Sequence, residues 1–242
     1  MKHTRQLLLI AVALLWTAAL ASAIPGRAEV KKVVGKATKT DAKGSPSTLS
    51  EGMILGTGDT VTTGAGSTVD LYLGLNGDFL RVDPDTTLKI DNLDIPNVAA
   101  RTVTTQLSLG KGAITGNVIN KPSLASKYEI KSASGVAGIR GTIYSVRTDA
   151  TGRIQRIVVT QGTVTFNDRG QTITISATDG TARAYTPSQP GQPVNQNVEP
   201  ATPTEATTTN ATATASAGSV STTTEAGTTT TVNNPSDTSV SQ

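Results

Sequence analysis

Between Glu29 and Tyr185 the apolar residues fall on every second position in short runs, a period that belongs to half-buried strands and not to helices. Val69, Leu71 and Leu73 alternate with Thr68, Asp70 and Tyr72, and Leu88 and Ile90 alternate with Thr87, Lys89 and Asp91. Further along, Tyr128 and Ile130 alternate with Lys127, Glu129 and Lys131, and Ile173, Ile175 and Ala177 with Thr172, Thr174 and Ser176. Ile157 to Val159 is a solid apolar run and predicts a more deeply buried strand.

Turn chemistry separates these runs at short intervals: Gly56-Thr57-Gly58-Asp59, Gly64-Ala65-Gly66, Asn76-Gly77-Asp78, Asp83-Pro84-Asp85, Thr151-Gly152, Asp168-Arg169-Gly170 and Asp179-Gly180. Many short strands so punctuated predict one all-β domain over residues 29–186, built as a roll or solenoid or as a sandwich. Loosely similar phrases at Leu49 to Met53, Leu107 to Gly112 and Thr160 to Val164 would each set a glycine corner before a new strand.

The two ends differ in kind. Residues 1–23 open on Lys2, His3 and Arg5, continue through the apolar run Leu7 to Leu20 and close on Ala21-Ser22-Ala23, which reads as a signal peptide cleaved before Ile24. Gly26-Arg27-Ala28 offers a second small-x-small site. An uncleaved anchor is the competing reading, but the run is shorter than the roughly 20 apolar residues of a spanning helix. Residues 187–242 are Thr, Ala, Ser, Pro, Asn and Gln with Val as the only larger apolar side chain, and they predict a disordered tail. The tail has no Lys or Arg and four acids, Glu199, Glu205, Glu225 and Asp237. Outside the signal peptide no window offers an apolar helical stripe.

Cleavage would remove the only histidine, His3, and the only tryptophan, Trp16, from a chain that has no cysteine. That excludes Ser/His/Asp and Cys/His nucleophilic systems, thiolate or imidazole metal sites and redox disulfides from the mature protein. No cofactor is implied, and neither a Walker loop nor a G-x-S-x-G elbow is present. Asp83/Asp85 and Asp91/Asp94 are the carboxylate pairs that could serve glycoside hydrolysis, but each lies beside a turn, where Asp is common for backbone reasons. The same acids lack EF-hand spacing, which leaves calcium binding an open question. The sequence thus predicts a chain that is not an enzyme.

Charge is uneven. Residues 51–94 hold eight acids against Arg81 and Lys89, whereas residues 95–186 hold eleven bases against four acids, for a net of +7. Solvation and attraction between sheet faces explain such patterning, and a basic face for an anionic envelope polymer is the functional alternative. Nucleic acid is not expected as a partner, because no stacking aromatics are interleaved with the bases. Tyr72 and Tyr185 are the aromatics that could lie exposed on a sugar-binding platform.

Two stretches carry a family resemblance. Gly58-Asp59-Thr60-Val61-Thr62-Thr63-Gly64 precedes the strand Val69 to Leu73, and Arg140-Gly141-Thr142-Ile143-Tyr144-Ser145-Val146 precedes Gln161-Gly162-Thr163-Val164. In that order they resemble the FecR domain of periplasmic regulators of iron uptake and other exported bacterial proteins. The resemblance implies an exported module without the cytoplasmic sigma-factor-binding region of those regulators, with a role in recognition or as a scaffold in the periplasm, envelope or outside the cell. An envelope protein or polysaccharide is the partner this implies; a structural surface component with a working tail and a periplasmic sensor are the alternatives. In physical terms Gly58-Asp59 predicts a turn whose carboxylate accepts backbone N–H groups, and Gly64 a position tolerating φ > 0. Gly141 predicts a bend or bulge beside another backbone before Tyr144 and Val146 enter the core, with Thr142 and Gly162 as further residues of the motif and Arg140 as either a structural residue or a ligand contact.

Overall fold

The structure, a computed structural model, describes residues 23–118, 123 and 125–218. The proposed signal peptide lies outside the described residues except for Ala23. Sixteen strands follow in order: β1 (Ile24–Pro25), β2 (Ala28–Val34), β3 (Ala37–Thr40), β4 (Pro46–Thr48), β5 (Ile54–Leu55), β6 (Thr60–Thr63), β7 (Thr68–Tyr72), β8 (Phe79–Val82), β9 (Thr87–Asn97), β10 (Thr102–Asn117), β11 (Lys127–Lys131), β12 (Gly135–Thr148), β13 (Ile154–Asp168), β14 (Gln171–Ala177), β15 (Arg183–Tyr185) and β16 (Glu199–Pro200), before helix α1 (Pro203–Gly218). The fold is all-β, as the alternation predicts.

All strands belong to one hydrogen-bonded sheet, and it closes into two layers because β10, β12 and β13 each serve both. Residues 102–109 of β10 lie between β9 and β11, whereas residues 114–117 lie between β8 and β12. The first half of β12 pairs with β11 and the end of β13, and its second half pairs with β10 and the start of β13. Strand β13 then carries β14 on one half and β15 on the other. One layer therefore runs β4, β3, β6, β9, β10, β11, β12, β13, β14, and the other β5, β2, β7, β8, β10, β12, β13, β15, β16. Side chains of both layers meet in one core, for example Phe166 against Tyr185 with ring centroids 6.0 Å apart. This is a sandwich made by bent strands, and the corners fall where glycine permits them.

The two layers differ on their outer faces. In β10, Val103, Thr105, Leu107 and Leu109 are buried while the residues between them are not, so this face meets solvent. After the bend, Ala113 to Gly116 are buried without alternation, and Ile157 to Val159 of β13 likewise. Helix α1 is the cause: it packs on β8, β10, β12 and β13 across the outer face of the second layer.

That placement corrects the predicted disorder from residue 187 for residues 187–218. Val194 and Val198 pack against the core, Asn195 accepts a hydrogen bond from the Tyr185 hydroxyl at 2.7 Å, and α1 docks on the sheet. Residues 219–242 lie outside the described residues. No described helix is long and apolar enough to cross a membrane.

Candidate binding cleft at the glycine corners

The first motif builds a turn that locks β6 to its neighbours. Gly58 has φ 95°, and a β-carbon on it would come within 2.6 Å of the Ala42 methyl group. Asp59 is buried, and its carboxylate accepts the Gly56 N–H at 2.9 Å and pairs with Lys39 at 3.0 Å. Backbone bonds of Gly58 and Asp59 to Ile90, both 2.8 Å, attach the turn to β9. The expected left-handed position shifts by two residues: Gly66 takes φ 64°, and Gly64 does not need a positive φ. Gly64 instead ties three segments, donating to the Lys36 carbonyl at 3.0 Å and accepting from Ser67 and Asp85.

The second motif makes a corner. Register between β12 and β13 slips between Arg140 and Ile143 and again before Tyr144, where the strands pass from one layer to the other. Gly141 (φ 59°) and Gly162 (φ 83°) face each other across the slip, both in the left-handed region that disfavours a β-carbon. Thr142 is fully buried between them. Its hydroxyl accepts the Arg140 N–H at 3.2 Å and donates to the Thr163 carbonyl at 3.0 Å, and its backbone pairs with Val118. Gly112 (φ 94°) plays the same part in β10, held against Thr86, whose hydroxyl accepts the Ala113 N–H at 2.9 Å. Arg140, Gly141, Thr142 and Gly162 thus come together, while Gly58, Asp59 and Gly64 form a separate group against β3 and β9.

Above the second corner lies a cleft of about 370 Å³. Val118, Tyr128 and Ile139 give it an apolar wall, and Ser123, Ser126, Thr163 and Thr178 give it hydroxyls. Arg140 stands at its rim, exposed, with no hydrogen bond or ion pair to its guanidinium among the described residues. Under the cleft the Tyr128 and Tyr144 hydroxyls are 3.1 Å apart, and burial pushes both phenols above their ordinary range. Among the described residues no carboxylate lines it. Such a surface can hold an anionic group against apolar contact.

The remaining candidates lie elsewhere. Asp91 accepts from Ser108 at 2.7 Å and from Lys131 at 3.3 Å, and Asp85 occupies a turn at φ 54°. Asp83 is half-buried, and loss of solvation lifts its carboxyl to about 6 against the opposing pull of Arg81 and Arg147. No group of three or more acids or imidazoles comes together among the described residues. Tyr185 is fully buried, which removes it from any exposed platform.

Sequence reasoning missed two ion pairs on the outer face of the second layer. Asp70, 1% exposed, receives both nitrogens of a bidentate bond from Arg81 at 2.6 and 2.7 Å. Arg156 in β13 binds Glu205 at 2.7 and 3.1 Å and also reaches Glu199 and Thr186. A signal for the latter was present: Thr202-Pro203-Thr204-Glu205 has an N-cap residue, proline at the first helical position and glutamate three residues on.

Comparison with known proteins agrees with the corner motifs. Residues 59–165 match the family model described as FecR protein, a span of less than half the 242-residue chain that contains the Thr142 corner. No curated protein matches the chain. A solved structure of a protein provisionally assigned as an anti-sigma factor, from Parabacteroides distasonis ATCC 8503, is similar at 10% identity with a TM-score of 0.43. The similarity covers 59% of this chain and 60% of that one, too faint a likeness to carry an argument. That match spans both glycine motifs apart from Gly58, so residues 59–165 of this chain are similar to the FecR family.

Proposed function

We propose that this chain is an exported, non-catalytic recognition module of the bacterial cell envelope, binding an anionic group of an envelope protein or polysaccharide through the cleft beside Arg140. The observation that supports this reading is the exposed Arg140 guanidinium at the rim of a cleft, where among the described residues it is unpaired and no carboxylate lines the walls. A cation that serves the fold is held by pairing with an acid or an acceptor, because burying it unpaired is costly, so an arginine left in solvent beside a concave apolar surface is available to a ligand. The +7 balance of residues 95–186 adds long-range attraction for an anionic partner.

Export rests on the N-terminal pattern, and intact mass of the protein recovered from outside the cytoplasm tests it: a mass retaining Leu7 to Leu20 overturns cleavage. Binding is tested by retention of purified envelope polysaccharide and envelope protein fractions on the immobilised mature chain, with Arg140→Glu as comparison. Loss of retention in Arg140→Glu with unchanged melting supports the cleft; equal retention overturns it. A signal-transducing role in the periplasm is the second reading, supported by the similarity to the FecR family alone.

A further inference from the structure

We infer that α1 is a releasable strap, folded only while docked, that covers a helix-receiving strip on the outer face of the second layer and is latched there by Glu205 and Arg156. This goes beyond the cleft at Arg140 and does not depend on it.

The strip is shaped for a helix. Register places Asp70, Arg81, Thr115, Ser145, Val158 and Ala184 side by side across six strands. Its centre is small, which lets a helix approach closely, and its flanks are charged. Thr115, Val158 and Ala184 are buried although they point away from the core.

The occupant is held weakly by apolar contact. Helix α1 contains no side chain larger than Glu, six threonines and several alanines, and on its described positions only Thr209 and Ala213, one turn apart, are buried. Among its described positions no residue of α1 belongs to the hydrophobic core cluster. A space of about 210 Å³ remains between its first turns and Ser145, Arg147 and Val158. Threonine is a poor helix former, and a segment of this length is marginal alone even when rich in alanine.

Glu205 joins the two events. Its carboxylate accepts the Thr202 N–H at 2.9 Å while the Thr202 hydroxyl accepts the Glu205 N–H at 3.2 Å, a reciprocal cap on the helix start. The same carboxylate takes both Arg156 bonds. One residue therefore starts the helix and pins it to β13. Farther along, Asn210 accepts from the Thr160 hydroxyl at 2.6 Å. Undocking removes the latch and the tertiary support together, so α1 melts as it leaves, and the sandwich beneath keeps its core. The strip then presents Arg81, Arg147 and Arg156 around small side chains.

The chain lacks cysteine, so single thiols report opening without background. In the full chain, the thiol of Ala213→Cys is expected to react with an aromatic disulfide reagent at least tenfold faster than that of Ala137→Cys, which lies in the core. Adding Arg156→Gln should speed the first reaction at least tenfold again and leave the second and the melting temperature unchanged. Hydrogen exchange on the unmodified chain gives the same comparison without a thiol: amides of residues 206–215 should exchange faster than those of 157–160. Equal rates at the two thiols together with equal exchange, or an Arg156→Gln effect on both positions alike, would show α1 to be part of the cooperative fold and overturn the strap.

Discussion

Gly162 stands so close to Gly141 that a β-carbon on Gly162 would occupy the space of the Gly141 carbonyl oxygen. Since Gly162 also has φ 83°, Gly162→Ala meets two costs, a left-handed backbone and an overlap that only backbone movement relieves. The expected loss is about 3 to 5 kcal/mol. Gly170, at φ 87° with open space around it, is the control: Gly170→Ala should lose only about 1 to 2 kcal/mol. Gly141→Val, at φ 59°, should cost about 1 to 3 kcal/mol, less than Gly162→Ala. Urea unfolding of the three variants ranks them, and equal midpoints for the two alanine variants would refute the corner.

Arg140→Ala should change stability by no more than about 0.5 kcal/mol, because the side chain is exposed and unpaired among the described residues. Unfolding of this variant with the severity of Gly162→Ala would mean that the arginine holds the corner, contrary to the geometry.

Removing the Arg81 guanidinium takes the bidentate partner from a buried carboxylate. Arg81→Gln should cost about 2 to 4 kcal/mol, and Asp70→Asn in the same chain should recover part of it. A double-mutant cycle measures the coupling, and strict additivity would argue against it.

Two carboxyls move stability with pH in opposite directions. Asp83 is raised from 3.8 to about 6, so the folded state binds its proton more readily than the unfolded chain. Its favourable contribution is present below pH 3.8 and is lost as pH rises through about 6. Asp83→Asn should therefore flatten the fall in stability between about pH 4 and 6, by about 1 kcal/mol after allowance for partial exposure. Glu205 is lowered from 4.5 to about 2, first by its bonds to Arg156, so its contribution is present above pH 4.5 and is lost as pH falls through about 2. Amide exchange in α1 should accelerate in that acid range relative to β13, whereas Glu205→Gln should remove the trend.

Much of this was legible in the sequence, and the failures share a cause. Alternation located β7, β9, β11 and β14, and Gly141, where a bend was expected, has φ 59°, whereas its approach to Gly162 was not legible. The solid run Ile157 to Val159 announced that something covers the outside of β13, yet α1 was not legible as that cover. Helix α1 docks through Thr209, Ala213 and an ion pair, and so shows no apolar stripe for a periodicity argument to find. Asp70 misled for a related reason: its strand position is polar by alternation, but the charge on Arg81 makes burial tolerable. Gly64 and Gly66 differ by two positions that turn composition cannot separate, because both residues suit the same bend.

The three bent strands also have a mechanical consequence. In a sandwich whose layers share no strand, shear can slide one sheet over the other by breaking side-chain contacts alone. Here β10, β12 and β13 run covalently through both layers, so the same displacement must tear backbone ladders on either side of each corner. Force applied between Ile24 and Tyr185 should therefore meet a single tall rupture and no earlier separation of sheets.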